Sequence, residues 1–434
     1  MKVEPKTLPG FMELLPKDQI LFNQYMDIIK EVYEQYGFLP IDTPNIELSE
    51  ILLAKAGGET EKQIYRFKKG DNDLALRFDL TVPTAKFVAM YYNDIKFPFK
   101  RYQIGRVYRG EKPQQGRFRE FYQTDIDIIG DGELSIINDA EIQSIMYVLF
   151  KKMNIGKFTI HMNNRKVLNG YMSYLELSDK SVEILRIIDK INKIGIQEVE
   201  NEIIELGIDK DKASSILKFI TINGNCKSVI DQLKKLQIDN EMFIEGVNEL
   251  ETVAKYMNAF NVDEGYYCID LKISRGLDYY TGTVFEAYLD DYEDFPSLFG
   301  GGRYENLAQN YTDRKLPGVG VGMGITRLFY ALQKFGIIKA EKKSIAKVLV
   351  MCMNDEYEKC IYISNKLIEK NIPTQIYYED KKIKAKFKYV DNLEIPYVIL
   401  IGEDEIKNNV YTLRDMKTGE QISLNEDALI EKLV

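Results

Sequence analysis

A chain of 434 residues, 45% hydrophobic and 29% charged, is long enough for two or three domains around a large buried core and needs no disulfide or metal staple to fold. Its net charge of -9 opposes indiscriminate binding to nucleic acid, so any such contact must come from local basic patches. One histidine, His161, and four scattered cysteines, Cys226, Cys268, Cys352 and Cys360, exclude histidine-rich metal sites, a C-x-x-C thiolate site and a disulfide framework; arginines, carboxylates, tyrosines and backbone amides are left to carry any chemistry.

The first residues, MKVEPKTLPGFMELLPKD, have no basic head followed by an apolar run, and no segment reaches the roughly 18 apolar residues of a membrane span. The expectation is a soluble cytoplasmic protein with no membrane contact. Residues 17–37 set Ile20, Leu21, Tyr25, Ile28, Ile29, Val32 and Tyr36 at helical spacing, with Gly37 as the stop. Residues 38–44, broken by Pro40 and Pro44, read as an extended edge or interface segment. Between 64 and 130, period-two stretches such as LALRFDL and FREFYQTDIDIIG flank the turn-rich GEKPQQGR, the pattern of an antiparallel sheet. Helical spacing returns over 133–153 through Ile136, Ala140, Ile142, Ile145, Met146, Leu149 and Phe150.

In KFTIHMNN, His161 alternates with Ile160 and Met162 and reads as a strand residue on a polar face. Residues 171–260 are rich in Ile, Leu, Lys, Glu and Asp at helical spacing, which predicts a helical insertion. Strands resume at Tyr266 with YYCIDLKIS, TGTVFEAYL, LFGGGRYENL and VGVGMGITRLFYAL, so one fold is split by the helical block. Beyond 339–344 (KAEKKS), strand and helix alternate as in a compact α/β domain with a mostly parallel sheet.

No G-x-x-x-x-G-K-[ST] loop occurs, and Gly318, Gly320, Gly322 and Gly324 recur with period two, unlike a G-x-G-x-x-G turn. Glycines on one face of a strand leave it bare for a ligand or another backbone; tight packing against a helix is the alternative. Three residues on, Arg327 opens a helix with Thr326 as a candidate cap. From there a guanidinium reaches over the glycines toward a phosphate, or forms a surface ion pair.

The densest signal is FKRYQIGRVYRGEKPQQGRFREFYQTDIDIIG. Lys100, Arg101, Arg106, Arg109, Lys112, Arg117 and Arg119 oppose only Glu111 and Glu120, an excess of positive charge that suits polyphosphate and nucleic acid. Alternation puts Arg119, Phe121, Gln123, Asp125 and Asp127 on one face: an aromatic, an amide and carboxylates, as a site for a base and a small polar substrate requires. A second cluster, LKISRGLDYYTGTVFEAY, sets Arg275 near Tyr279 and Tyr280; in a dry site a cation and phenols stabilise developing charge, unless the tyrosines simply pack.

Together these segments resemble the class II aminoacyl-tRNA synthetases and, among them, the histidyl-tRNA synthetase family. Residues 37–44, ending in Pro44, are similar to motif 1; residues 102–127, with R-G-E-K-P-Q-Q-G-R, to motif 2; residues 320–327 to motif 3, with Thr326 where that motif usually carries an acid. R-G-L-D-Y-Y-T (275–281) and G-G-R-Y (301–304) resemble the family's histidine-specific signatures, and the terminal segment resembles its anticodon-binding domain.

The resemblance implies an α+β fold: a class II antiparallel sheet core flanked by helices, in residues 1–170 and 261–335, with a helical insertion at 171–260 and a C-terminal α/β anticodon-binding domain at 345–434. It implies ATP-dependent ligation of L-histidine to tRNA(His) through a histidyl-adenylate, with release of AMP and pyrophosphate, Mg2+ accompanying ATP, and a homodimer built on motif 1. Arg109 and Arg275 would approach the α-phosphate from two sides as the catalytic pair. Glu111, Arg117, Phe121 (stacked on adenine) and Arg327 (at the far end of the triphosphate) would complete the ATP side. Asp79, Thr81 and Gln123 would receive the α-amino group; Asp127, Tyr280 and Tyr304 would surround the imidazole, with Arg275 and Tyr279 beside them. Lys112, Gln114 and Arg119 would meet the tRNA acceptor end. Lys381, Lys382, Lys384, Lys386 and Lys388 would contact backbone near the anticodon, unless they form a solvated helix face. The alternative is a non-catalytic regulatory paralogue of histidine biosynthesis, which would lack the terminal domain.

Overall fold

The computed structural model describes residues 2–54, 59–112, 116–273, 280–292, 294–353 and 357–434. They form two compact units. One takes the residues up to Met12 with Ile28–Ile338, the other Glu13–Asp27 with Lys339–Val434.

Helix α1 (Pro16–Gln35) opens on a proline, which suits a first turn whose N–H groups have no intrahelical partner, and Gly37, at φ +76, follows its end. Besides a small three-stranded sheet (Ile46–Leu48, Arg66–Lys69 and Asn72–Leu76), the first unit has a large sheet of eight strands: β1 (Leu39–Pro40), β2 (Phe99–Tyr108), β3 (Glu120–Ile129), β4 (Phe158–Asn164), β5 (Tyr267–Ile269), β6 (Tyr280–Leu289), β7 (Gly300–Tyr304) and β8 (Gly318–Met323). Their spatial order is β1-β2-β3-β8-β7-β6-β4-β5. All pairs are antiparallel except β1 with β2 and β4 with β5.

The two faces of this sheet differ because side chains alternate along each strand. On one face Ile126 and Ile128 of β3 and Val319 of β8 are fully buried, and helix α3 (Ile137–Met153) packs there. The other face carries Phe121, Gln123, Asp125 and Asp127 of β3 beside the glycines of β7 and β8. Helix α2 (Thr81–Met90) starts at the margin of that face, and helix α4 (Ile325–Lys334) follows directly on β8.

Between β4 and β5 the described residues hold helices and no strand, from Arg165–Tyr174 to Glu241–Ala259. These two helices cross with almost no side chain between them. A Cβ on Gly170 would meet the Phe243 amide nitrogen at 2.5 Å, and one on Gly246 would meet that of Val167 at 2.7 Å.

The second unit holds β9 (Val348–Cys352), β10 (Thr374–Tyr377), β11 (Tyr397–Ile401), β12 (Tyr411–Asp415) and β13 (Gln421–Leu424), in the order β10-β9-β11-β12-β13. The first three are parallel and the last two form an antiparallel hairpin, so the sheet is mixed where the sequence predicts a mostly parallel one. Cys352 and Cys360 are both buried, with their Cα atoms 6.3 Å apart. The lysine run is also divided: Lys386 is buried and its Nζ donates to the Cys352 carbonyl at 2.6 Å, while Lys381, Lys382, Lys384 and Lys388 stay exposed.

Candidate active site

The bare glycine face is not left empty. In the β3–β8 register Gly320 faces Asp127 and Gly322 faces Asp125; in the β7–β8 register Gly318 faces Tyr304. Neighbouring side chains lie over these glycines. The Tyr304 hydroxyl occupies the space of a Cβ on Gly318, and the Asp127 carboxylate does so on Gly320. Gln123 and Asp125 lie over Gly322, and Tyr280 lies over Gly302. Glycine therefore serves here to let adjacent strands fold their polar side chains flat, which makes a shallow polar floor.

Two adjoining cavities stand on this floor, each of about 350 Å³, at the lower end of the range for small-molecule sites. Arg109, Gln123, Gly300 and Gly322 line both. The first is rich in arginine: Arg117 and Arg327 join Arg109, with Glu111 and the rings of Phe118 and Phe121. The second is rich in carboxylates and phenols: Asp79, Asp125 and Asp127 with Thr81, Tyr280 and Tyr304. One cavity suits a polyphosphate with a flat base, the other a small cation-bearing molecule.

Arg109 is held at the shared wall. Its Nε donates to the Phe78 carbonyl at 3.3 Å, and its guanidinium lies 4.4 Å from the centre of the Phe78 ring and 5.1 Å from that of Phe121. Asp79 stands at the start of α2, where Oδ1 accepts from the Val82 amide at 3.0 Å. The Tyr304 hydroxyl donates to Asp127 Oδ1 at 3.1 Å, and Arg101, fully buried, forms an ion pair with the other Asp127 oxygen. Burial pushes the Asp127 carboxyl above its ordinary range, with Arg101 and Tyr304 opposing. Across the arginine-rich cavity Arg117 and Glu111 form a loose pair at 3.5 Å, and Arg327, in the first turn of α4, is exposed.

The structure thus brings Asp79, Thr81, Arg109, Glu111, Arg117, Phe121, Gln123, Asp127, Tyr280, Tyr304 and Arg327 onto the two cavities. Arg275 and Tyr279 lie outside the described residues, as does Gln114. The basic excess of residues 99–120 is smaller in effect than its sum. Arg101 is buried against Asp127, and Arg119 is tied down, its Nε donating to the Glu111 carbonyl at 2.9 Å and its side chain packed on Gly10. Thr326 is buried, and its Oγ1 accepts from the Tyr122 amide at 2.8 Å. A threonine at the position where the motif usually has an acid therefore binds the end of β3 to α4. His161 lies away from both cavities; its Nδ1 meets Asp270 Oδ2 at 2.9 Å.

Sequence reasoning missed Phe78, which supports Arg109, and residues 296–299, which wall the arginine-rich cavity. Their only signal is position: Phe78 lies inside R-F-D-L, and residues 296–299 lie directly before G-G-G-R-Y. It placed Asp125 on the right face without giving it a task.

A long antiparallel sheet interrupted by a helical block, floored by glycines and presenting an arginine cavity beside a carboxylate cavity, defines a class II aminoacyl-tRNA synthetase. The family model described as Histidyl-tRNA synthetase matches residues 10–328, and that described as Anticodon binding domain matches residues 347–434. The chain is 54% identical over 430 residues to the histidine–tRNA ligase of Clostridium tetani, covering 99% of this chain and 98% of that one. It is 49% identical over 425 residues to the histidine–tRNA ligase of Clostridium acetobutylicum, covering 98% of each. The crystal structure of histidyl-tRNA synthetase from Nostoc sp. PCC 7120 matches with a TM-score of 0.92 at 38% identity, over 100% of this chain and 99% of that one. The chain belongs to the histidyl-tRNA synthetase family. A Bacillus halodurans structure described as an ATP phosphoribosyltransferase regulatory subunit/histidyl-tRNA synthetase has a TM-score of 0.75 at 21% identity, a likeness of fold alone, and the regulatory alternative is not favoured.

Proposed function

We propose that this ligase, which charges tRNA with histidine, forms its adenylate at the wall its two cavities share. The observation that carries this reading is that Arg109 and Gln123 line both of them. Phe121 stacks on adenine, and Arg117 and Arg327 receive the outer phosphates. In the second cavity Asp79, Thr81 and Gln123 take the substrate ammonium. Asp127, Tyr280 and Tyr304 surround the imidazole, whose two nitrogens need polar partners once buried.

The substrate's own carboxylate is the nucleophile. It attacks the α-phosphorus, a P–O bond to the acyl group forms, and the bond to pyrophosphate breaks with the electron pair leaving on oxygen. The terminal ribose hydroxyl of tRNA then takes the histidyl group and AMP departs. No protein nucleophile is required; what is required is to align two anions and offset their repulsion, which Arg109 does from one side. By the family resemblance Arg275 does so from the other.

Among the described residues no group of three or more His, Cys, Asp or Glu side chains could hold a metal ion. Mg2+ would accompany ATP as a counter-ion to its phosphates.

Residues 1–170 and 261–335 are read as the catalytic domain, 171–260 as the insertion and 345–434 as the anticodon-binding domain. The helical run between β4 and β5 and the mixed sheet of the second unit support this division. A homodimer is read from motif 1, supported by the exposed apolar residue Leu39 on the edge strand of the sheet. Cytoplasmic location is read from the substrates; among the described residues no helix is long and apolar enough to cross a membrane.

Pyrophosphate exchange into ATP, measured with each amino acid in turn, tests the assignment. Histidine alone should drive it. Equal exchange with proline or threonine would overturn the specificity reading, and unchanged single-turnover rates in Arg275→Ala would remove Arg275 from its role.

A further inference from the structure

The polar face of β3 carries one carboxylate that the roles above leave unused. Asp125, between Gln123 and Asp127, is 3% exposed and lines the second cavity. Both of its oxygens accept from Gln123 Nε2, at 2.9 and 3.1 Å. The pair lies flat on the backbone of Gly322, where a Cβ would stand 2.9 Å from Asp125 Oδ1 and 3.0 Å from Gln123 Nε2.

We propose that Asp125 is a positioning residue for histidine, holding the Gln123 amide with its nitrogen turned inward so that its oxygen is the end presented to the substrate ammonium. The proposal rests on the reading of Gln123 as an ammonium acceptor.

The two ends of an amide are nearly equal in shape and opposite in chemistry. An ionised carboxylate only accepts hydrogen bonds, so it selects the NH2 end of Gln123 and leaves the carbonyl for the ligand. An ammonium offers three donors and no lone pair, so the carbonyl is the end it needs. A protonated Asp125 has both a hydroxyl donor and a carbonyl acceptor. It pairs with the amide either way round, and the selection is lost.

The groups facing Asp125 are Arg101 on β2, Asp127 and Gln123 on β3, Arg77 and Asp79 before α2, and Tyr33 on α1; β8 offers only the backbone of Gly322. Burial raises the carboxyl most, Arg101 opposes, and Asp127 and Asp79 add to the rise, leaving it at about 7. The selection is therefore in force above about pH 7 and fades as the pH falls through that value.

Exchange kinetics of wild type and Asp125→Asn from about pH 6 to about pH 8.5 test this. At the alkaline end the KM for histidine should be about tenfold higher in the variant, the scale of one hydrogen bond to a charged group, with the KM for ATP unchanged. The ratio should fall toward one at the acid end, because wild-type Asp125 is then neutral as well. Titration of the substrate's imidazole occurs in both proteins and cancels. A ratio that is constant with pH, or a KM equal to wild type throughout, would overturn the inference. Gln123→Ala separates the two levels: if it leaves the histidine KM unchanged, the reading of Gln123 falls and takes the inference with it. If it raises that KM while Asp125→Asn does not, the inference alone fails. Should Asp125→Asn not fold, triazolylalanine, whose ring stays neutral over this range, serves as a competitive inhibitor of the wild type. Its Ki should rise below about pH 7, and a flat Ki would overturn the inference.

Discussion

Asp127 and Gly320 face each other across β3 and β8, and the carboxylate of the first fills the volume that a Cβ on the second would need. Gly320→Ala should therefore displace Asp127 from Tyr304 and from the imidazole site. The expected result is a KM for histidine raised by about tenfold or more, the scale of one lost charged hydrogen bond. The KM for ATP should hold, and unfolding should show a loss of about 1–3 kcal/mol from overpacking. Exchange kinetics with histidine and ATP varied separately measure this, and a histidine KM equal to wild type would remove Asp127 from the pocket.

Tyr304→Phe removes one hydroxyl and little volume. It deprives the buried Asp127 of a donor at 3.1 Å, so kcat/KM for histidine should fall by about 1–3 kcal/mol in transition-state terms, roughly five- to 150-fold. The Tyr304 backbone, bonded in the β7–β8 ladder, is untouched, so the circular dichroism spectrum should match wild type. A fall confined to the ATP KM would place Tyr304 elsewhere.

Beside Tyr304 in the chain, Arg303 makes the opposite use of its strand. It donates to both Asp139 oxygens at 2.7 to 3.1 Å, to the Leu134 carbonyl at 3.0 Å and to the Ser135 carbonyl at 2.8 Å, and so ties β7 to the first turn of α3. Neither side chain is more than 8% exposed. Asp139→Ala should leave a buried guanidinium short of its counter-charge and cost about 3–5 kcal/mol in urea unfolding. A loss below about 1 kcal/mol, the range of exposed pairs, would contradict the pairing.

Much of the floor is legible in the sequence because period two is a local property. Residues 119–127 alternate, the glycines at 318–322 alternate, and each pattern reads as a strand with one special face. What lies over the glycines is not legible, because Asp127 and Gly320 meet only through strand order. Arg101 and Arg119 show the same limit: a sum of charges over residues 99–120 counts them as available, and only packing reveals that one is buried and the other is spent on backbone carbonyls. Lys386 differs from its neighbours by which side of one helix it occupies, on a helix whose inner face reaches the Cys352 carbonyl. The approach of Cys352 to Cys360 is not legible either, because it joins the end of β9 to the helix Tyr357–Glu369 that follows.

The lone histidine makes a prediction about stability and not about catalysis. Burial alone would lower the pKa of His161, but hydrogen bonds to Asp270 and Cys268 raise it from 6.5 to about 10. A raised folded-state value means that the folded protein holds a proton the unfolded chain releases. The resulting stabilisation is complete below pH 6.5, declines as the pH rises, and is gone above about 10. His161→Gln keeps a polar side chain without the charge, so its unfolding midpoint in urea should fall below wild type at neutral pH. The gap should narrow steadily as the pH is raised toward 10. Because His161 lines neither cavity, exchange kinetics of the folded variant should match wild type. A gap that widens with pH would show that the imidazole is neutral in the folded protein.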